Sequence, residues 1–226
     1  FMNTLKVALT SSIGRKIVMA CTGLFLIVFL LEHIYGNLLL YFNDQGAAFD
    51  DYSHSAVHNI IIRIVEVFLF AAILIHVITA IQLTASNNKA RSVKYNAPSA
   101  SGGSSWFSRN MGITGSFVLF FIIGHLYQFF LPYRITSMPE GLKLADMVKD
   151  AFQNPVYAAL YVAGVTFLAF HLSHALRSAI HTLGVNNKSY ASFWEMASRG
   201  FAVFIWLGFS SFPVLFYFGI AGGTLK

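Results

Sequence analysis

Residues 17–41, IVMACTGLFLIVFLLEHIYGNLLLY, decide the fold of this chain. The run is apolar over more than the roughly 20 residues that cross a hydrocarbon core of about 30 Å. It follows Lys6, Arg15 and Lys16, is too long for a signal-peptide core, and has no small-residue cleavage site behind it, so it reads as a retained membrane helix. Inside it stand Glu32 and His33, two side chains that lipid disfavours. Leaving a polar group unpartnered in an apolar medium costs roughly 2–7 kcal/mol, so each demands a partner.

Working outward, four further runs have the same character: about 62–84, 112–131, 156–181 and 200–222. The 226-residue chain is 56% hydrophobic and 11% charged, against roughly one quarter charged in soluble domains. Segment 86–108, with Asn87, Asn88, Pro98 and SASGGSS, is too polar to span, and 133–155 holds Pro139 and mixed charges. The expected fold is an all-α membrane protein, one five-helix bundle over residues 1–226 with no internal repeat. The net charge of +6 does not point to nucleic acid, because the basic residues flank the apolar runs instead of lining one polar face. The single cysteine, Cys21, sits among Ala20, Thr22 and Gly23 and reads as a packing residue.

Lysine and arginine near the span ends predict direction. One side collects Lys6, Arg15, Lys16, Lys89, Arg91, Lys94, Arg109, Arg177, Lys188 and Arg199; the other holds Arg63, Arg134, Lys143, Lys149 and Lys226. The N-terminus is therefore expected in the cytoplasm and the C-terminus outside.

Each of the first four runs carries a histidine near its middle: His33, His76, His125 and His171. At 1.5 Å per residue, His33 lies about 6 Å and His125 about 5 Å to the outer side of their span centres. His76 lies about 4 Å toward the cytoplasm, and His171 somewhat further. The four thus sort by depth into two pairs, and two haems, each held by one pair, would satisfy all four rings. Gly36, Ala80 and Ala175, one turn after their histidines, would leave room for a porphyrin; His125 has Gly124 beside it but large residues one turn away. Imidazoles also bind zinc or copper, but a histidine-lined metal transporter would want carboxylates or sulfur beside them, and the neighbours here are Leu, Ile, Phe and Gly.

The segments LLEHIYGNL around His33, ILIHVITAIQLTASNN around His76, TGSFVLFFIIGHLYQ around His125 and FHLSHALRS around His171 resemble the di-haem cytochrome b membrane anchor of succinate:quinone oxidoreductases, the succinate dehydrogenases and fumarate reductases. The likeness extends over nearly the whole chain. It implies a multi-pass anchor in a bacterial cytoplasmic membrane with two haems b. Such an anchor binds a flavoprotein and an iron–sulfur subunit on its cytoplasmic face and exchanges electrons with a quinone, menaquinone by expectation. In that family the first and third helices hold the distal haem and the second and fourth the proximal one, which matches His33 with His125 and His76 with His171. His174, one turn beyond His171, is the alternative fourth ligand. Cytochrome b subunits of hydrogenases and formate dehydrogenases also hold haems by paired histidines and are the nearest alternative. No flavin fingerprint or iron–sulfur cysteine set occurs, so no dicarboxylate site is expected in this chain.

Two departures stand out. Ala169 occupies the place of a glutamate that some fumarate reductases use for protons, and Thr182 that of a lysine some relatives use for a proximal propionate. Arg177, His181 or Arg109 would have to substitute, with Ser11, Ser12, Arg15 and Trp106 as further propionate candidates at the cytoplasmic rim. The carboxylates inside spans, Glu32 and Glu66, both fall toward the outer histidine pair, as do His54 and His58 in the following loop. They are the candidates for proton exchange with quinone. Equally, Glu66 can simply pair with Arg63, and His54 and His58 can be solvated.

Overall fold

The computed structural model describes residues 11–90, 110–136, 141–185 and 188–221, and all regular structure among them is helical. The helices are α1 (Ser12–Leu38), continued by a 3-10 turn Leu39–Tyr41, α2 (Ala47–His58), α3 (Ile60–Ala90) and α4 (Met111–His125). A π-helical turn, Leu126–Phe130, leads to α5 (Leu131–Arg134), and α6 (Leu144–Gln153), α7 (Pro155–Thr182) and α8 (Ala191–Tyr217) follow. Five stretches are long and apolar enough to cross a membrane: Ser12–Tyr41, Ile60–Asn87, Met111–Arg134, Pro155–Thr182 and Ala191–Tyr217. They are apolar nearly all round, as a helix facing both lipid and protein must be; Ile60 and Phe120 are each 71% exposed.

Two boundaries differ from expectation. α1 begins at Ser12, five residues before the apolar run, because the Ser11 hydroxyl accepts the Gly14 N–H at 3.0 Å and caps the helix. α8 occupies 191–217, where 200–222 was expected. The charges in its first turns neutralise each other: Glu195 pairs with Arg199 one turn on at 2.5 Å and with Arg177 of α7 at 3.2 Å. At the other end Gly219 adopts φ +65° and the Ile220 N–H reaches the Leu215 carbonyl at 2.9 Å, which closes the helix in a Schellman turn.

α2 and α6, which do not span, form a cap on one end of the bundle. α6 turns Ala145, Val148 and Phe152 inward at i, i+3 and i+7, and these pack with Leu40, Phe49, Phe212 and Phe216. Asp50 of α2 accepts the Ala145 N–H at 2.9 Å, capping α6 from a distant segment. Asp44 accepts the Gly46 and Ala48 N–H groups at 2.9 and 2.8 Å. Chiefly the Ala48 bond holds its carboxyl below the ordinary carboxylate range. Gly46, at φ +90°, is pressed against Ala145 so closely that no side chain fits there.

The helices bearing the four histidines surround a common interior. α1 packs beside α3 and α7, and α4 beside α7, while α3 and α4 touch only sparsely; α1 has no comparable interface with α4, nor α3 with α7. Small residues set the close approaches. Gly164 of α7 receives the ring of Phe121 from α4, and Gly208 of α8 receives Ile34 from α1. Ser198 of α8, fully buried, donates to the Leu172 and Ser173 carbonyls of α7 at 3.2 and 2.9 Å. The π-helical turn after His125 precedes Pro132. A proline ring crowds the carbonyl four residues earlier, here that of Gln128, and widening the turn relieves the clash.

Candidate functional site

The histidines meet across the two diagonals of this four-helix arrangement. His33 of α1 and His125 of α4 have ring centroids 5.7 Å apart with planes at 86°. His76 of α3 and His171 of α7 are 6.4 Å apart with planes at 72°. His171 is the ring that faces His76; His174 is half-buried one turn further along α7. Since neither diagonal pair of helices is in close backbone contact, each ring pair bridges interior space that the helices themselves leave open.

Three helices measure the distance between the two levels independently. On α1, Thr22 contacts His76, and His33 follows eleven residues later. On α4, Gly115 lies against His171, and His125 follows ten residues later. On α7, the Tyr161 ring contacts His125, and His171 follows ten residues later. At 1.5 Å per residue each gives about 15 Å. The depth reading implied only about 10 Å, because it placed each histidine relative to the middle of its own span and assumed that the span centres lie at one level.

The surroundings of the two levels differ. Around the first, Phe29 stacks on His33 at 5.3 Å, Phe209 approaches it at 5.5 Å, and Phe121, Phe129 and Tyr161 lie 5.5–6.1 Å from His125. At the second, backbone approaches the rings: a Cβ on Gly23 would stand 3.3 Å from His76 Cε1, and one on Gly115 3.5 Å from His171 Cε1. Nδ1 of His76 lies 3.0 Å from the Thr22 hydroxyl. The Nδ1 atoms of His125 and His171 and the Tyr161 hydroxyl are buried without a hydrogen-bond partner among the described residues. Orphaned polar atoms in an apolar interior, each costing about 1–3 kcal/mol, are expected where a ligand binds or strain is stored.

These features fit a metal-centred group held between paired imidazoles. Two metal–nitrogen bonds of about 2 Å, with each ring centroid about 1 Å behind its nitrogen, separate the centroids by about 6 Å, which lies between the two observed spacings. The glycines beside His76 and His171 keep side chains away from the rings. Gly36 plays a different part from the one expected: its vacant side is filled by Tyr52, whose Cε1 would lie 2.7 Å from an added Cβ, so it provides no room beside His33.

At the capped end, the Tyr52 hydroxyl of α2 donates to Glu32, directly preceding His33. Burial and the neighbouring carboxylate both push the Tyr52 phenol above its ordinary pKa. Glu66 is held by Arg63 at 2.7 Å and by Arg134 at 3.6 Å. His54 and His58 are exposed on α2 with ring centroids 4.1 Å apart, and His58 Nδ1 donates to the His54 carbonyl at 2.8 Å. At the opposite end, Arg15 reaches Ser86 at 3.5 Å while its buried Nε has no partner among the described residues. Ser12 and His181 are exposed, and Arg177 is engaged by Glu195. Trp106 and Arg109 lie outside the described residues.

Sequence reading missed Thr22, Gly23, Tyr52, Gly115 and Tyr161. One signal was there to find: Gly23 and Gly115 each precede the histidine of their own helix by ten residues, a shared spacing that sets each glycine at the level of the other pair. Comparison with protein-family models, with curated proteins and with solved structures finds no match.

Proposed function

We propose that this chain is the cytochrome b membrane anchor of a succinate:quinone oxidoreductase, relaying electrons between a cytoplasmic iron–sulfur subunit and a membrane quinone through two bis-histidine haems b. The observation that carries this reading is the pair of facing imidazole couples, about 15 Å apart along the bundle, on the four histidines whose sequence surroundings resemble that family. His76 and His171 would hold the haem nearer the iron–sulfur partner, and His33 and His125 the one nearer the outer surface. Bound there, each haem supplies one-electron transfer at a potential set by its axial ligands and surroundings.

The residues of the chain then divide the remaining work. Arg15, with a buried guanidinium nitrogen unpartnered among the described residues, stands ready for an anionic propionate at the cytoplasmic end. Arg177 is less free, since Glu195 already neutralises it. At the outer end Glu32 and Tyr52 form a hydrogen-bonded acid pair beside His33, placed to pass protons to or from quinone. Glu66 is already engaged by two arginines, Arg63 at 2.7 Å and Arg134 at 3.6 Å, and is less available to quinone. The α2 histidines His54 and His58 would connect the pair to water.

The test is a reduced-minus-oxidised optical spectrum of the purified chain, with haem content per chain and the copurifying subunits identified. Two haems b and a flavoprotein with an iron–sulfur subunit are the expected result. Absence of haem bands would remove every cytochrome reading and leave the histidine-lined transporter. A copurifying hydrogenase or formate dehydrogenase subunit would redirect the assignment.

A further inference from the structure

Thr22 stands beside His76 in an arrangement whose distances favour one distribution of protons. Its hydroxyl oxygen is 2.8 Å from the Val18 carbonyl, 3.2 Å from the Met19 carbonyl and 3.0 Å from His76 Nδ1. A hydroxyl has one proton, and carbonyls only accept, so that proton goes back to the preceding turn of α1. With the proton on the shorter contact, to the Val18 carbonyl, an oxygen lone pair faces His76 and Nδ1 of His76 is the donor. The imidazole is therefore held as its Nδ1–H tautomer, with the lone pair on Nε2. Gly23, the next residue, allows the approach, since a Cβ there would already press on His76 Cε1 at 3.3 Å. The facing ring has no such support: Nδ1 of His171 is buried with no hydrogen-bond partner among the described residues.

We propose that Thr22 is a positioning residue for His76, selecting the tautomer that leaves Nε2 free to ligate and lowering the reduction potential of the metal group that His76 and His171 share. This rests on the haem assignment above. An N–H that donates to a second partner makes the imidazole a stronger donor to its metal and fixes its orientation; losing such a partner typically costs 10- to 100-fold in metal affinity or activity. A stronger donor favours the more highly charged, oxidised iron. The threonine thereby makes the two haems unequal by a contact that, among the described residues, is made to His76 and not to His171.

Thr22→Val removes the hydroxyl and keeps the branched shape, and Thr22→Ser restores a hydroxyl. Both are to be compared with the native chain in its assembled complex by potentiometry of the two haems. In Thr22→Val the potential of the haem held by His76 and His171 should rise, the oxidised-to-reduced ratio changing by up to about tenfold, which is about 59 mV for one electron. The other haem should keep its potential, and Thr22→Ser should return the first toward the native value. Equal shifts in both haems, no shift in either, or a serine variant that behaves like the valine one would overturn the proposal. A second arm needs no haem: nitrogen NMR of the histidine-labelled apo chain, with His76 assigned through His76→Gln, should show Nδ1–H in the native protein and loss of that preference in Thr22→Val. An Nε2–H tautomer in the native chain refutes the role of Thr22 even if two haems are present. A haem-free complex with the Nδ1–H tautomer intact refutes the haem assignment and the potential shift, and upholds the tautomer selection.

Discussion

The two imidazole couples use identical ligand chemistry in unlike surroundings. His33 and His125 are enclosed by the rings of Phe29, Phe121, Phe129, Tyr161 and Phe209, whereas His76 and His171 lie against the bare backbone of Gly23 and Gly115. The first level has the Glu32–Tyr52 pair beside it; the second has Thr22 on one ring and the Arg15 end of the bundle beyond it. An aromatic wall excludes water and offers no strong hydrogen bonds, while a glycine and hydroxyl wall admits close approach and tunes the ligand directly. Two sites of one chemical type can thus be made inequivalent by their neighbours alone.

The comparison breaks most visibly if the couples are not the units they are taken to be. His76→Ala and His171→Ala should each lower haem content from two per chain to one, and should lose the same spectral component; His33→Ala and His125→Ala should lose the other. Pyridine haemochrome analysis and low-temperature spectra read this directly, and a His76 variant that lost the component missing from the His33 variant would end the diagonal assignment. Next in size is the proton route at the aromatic level. Glu32→Gln should slow quinone turnover by about 10² to 10⁴ fold while dicarboxylate oxidation with an artificial acceptor stays intact. Tyr52→Phe should act in the same direction to a smaller extent. Glu66→Gln, in which two arginines lose their counter-charge, should affect folding yield more than turnover. Unchanged quinone turnover in Glu32→Gln would move the proton site away from this level.

The packing contrast has a smaller signature. Gly23→Val and Gly115→Val push branched side chains at His76 and His171 and should destabilise the chain by about 1–3 kcal/mol in thermal unfolding, with loss of the haem at that level. Gly124→Ala, where an added Cβ meets nothing within 4 Å, should change stability by no more than about 0.5 kcal/mol. If all three substitutions were equally tolerated, the distinction between a backbone wall and an aromatic wall would lose its meaning. Ser198→Ala deletes the shared hydrogen bond from a buried hydroxyl to two α7 carbonyls just beyond His171. It should cost about 1 kcal/mol and broaden only the spectrum of the haem at that level.

The five spans were legible in the sequence because crossing a membrane is a local requirement: about 20 apolar residues answer it, whatever the rest of the chain does. Their ends were less legible. The fifth run reads as 200–222, whereas α8 starts at Ala191, where Glu195 pairs with Arg199 and with Arg177 of α7. The presence of four histidines at mid-span depth could be read from helical rise alone, which is why the candidate residues could be named without coordinates. Their partners could not. Tyr52 enters the groove over Gly36, Thr22 meets His76 across 54 residues of sequence, and Asp50 caps a helix 95 residues away. Periodicity tells which face a side chain occupies and how deep it lies, but not which neighbouring helix stands opposite. That choice, and with it the difference between an aromatic couple and a glycine-walled one, was made only by tertiary packing, where Gly164, Gly208 and Ser198 decide which helices come close and which diagonals stay open.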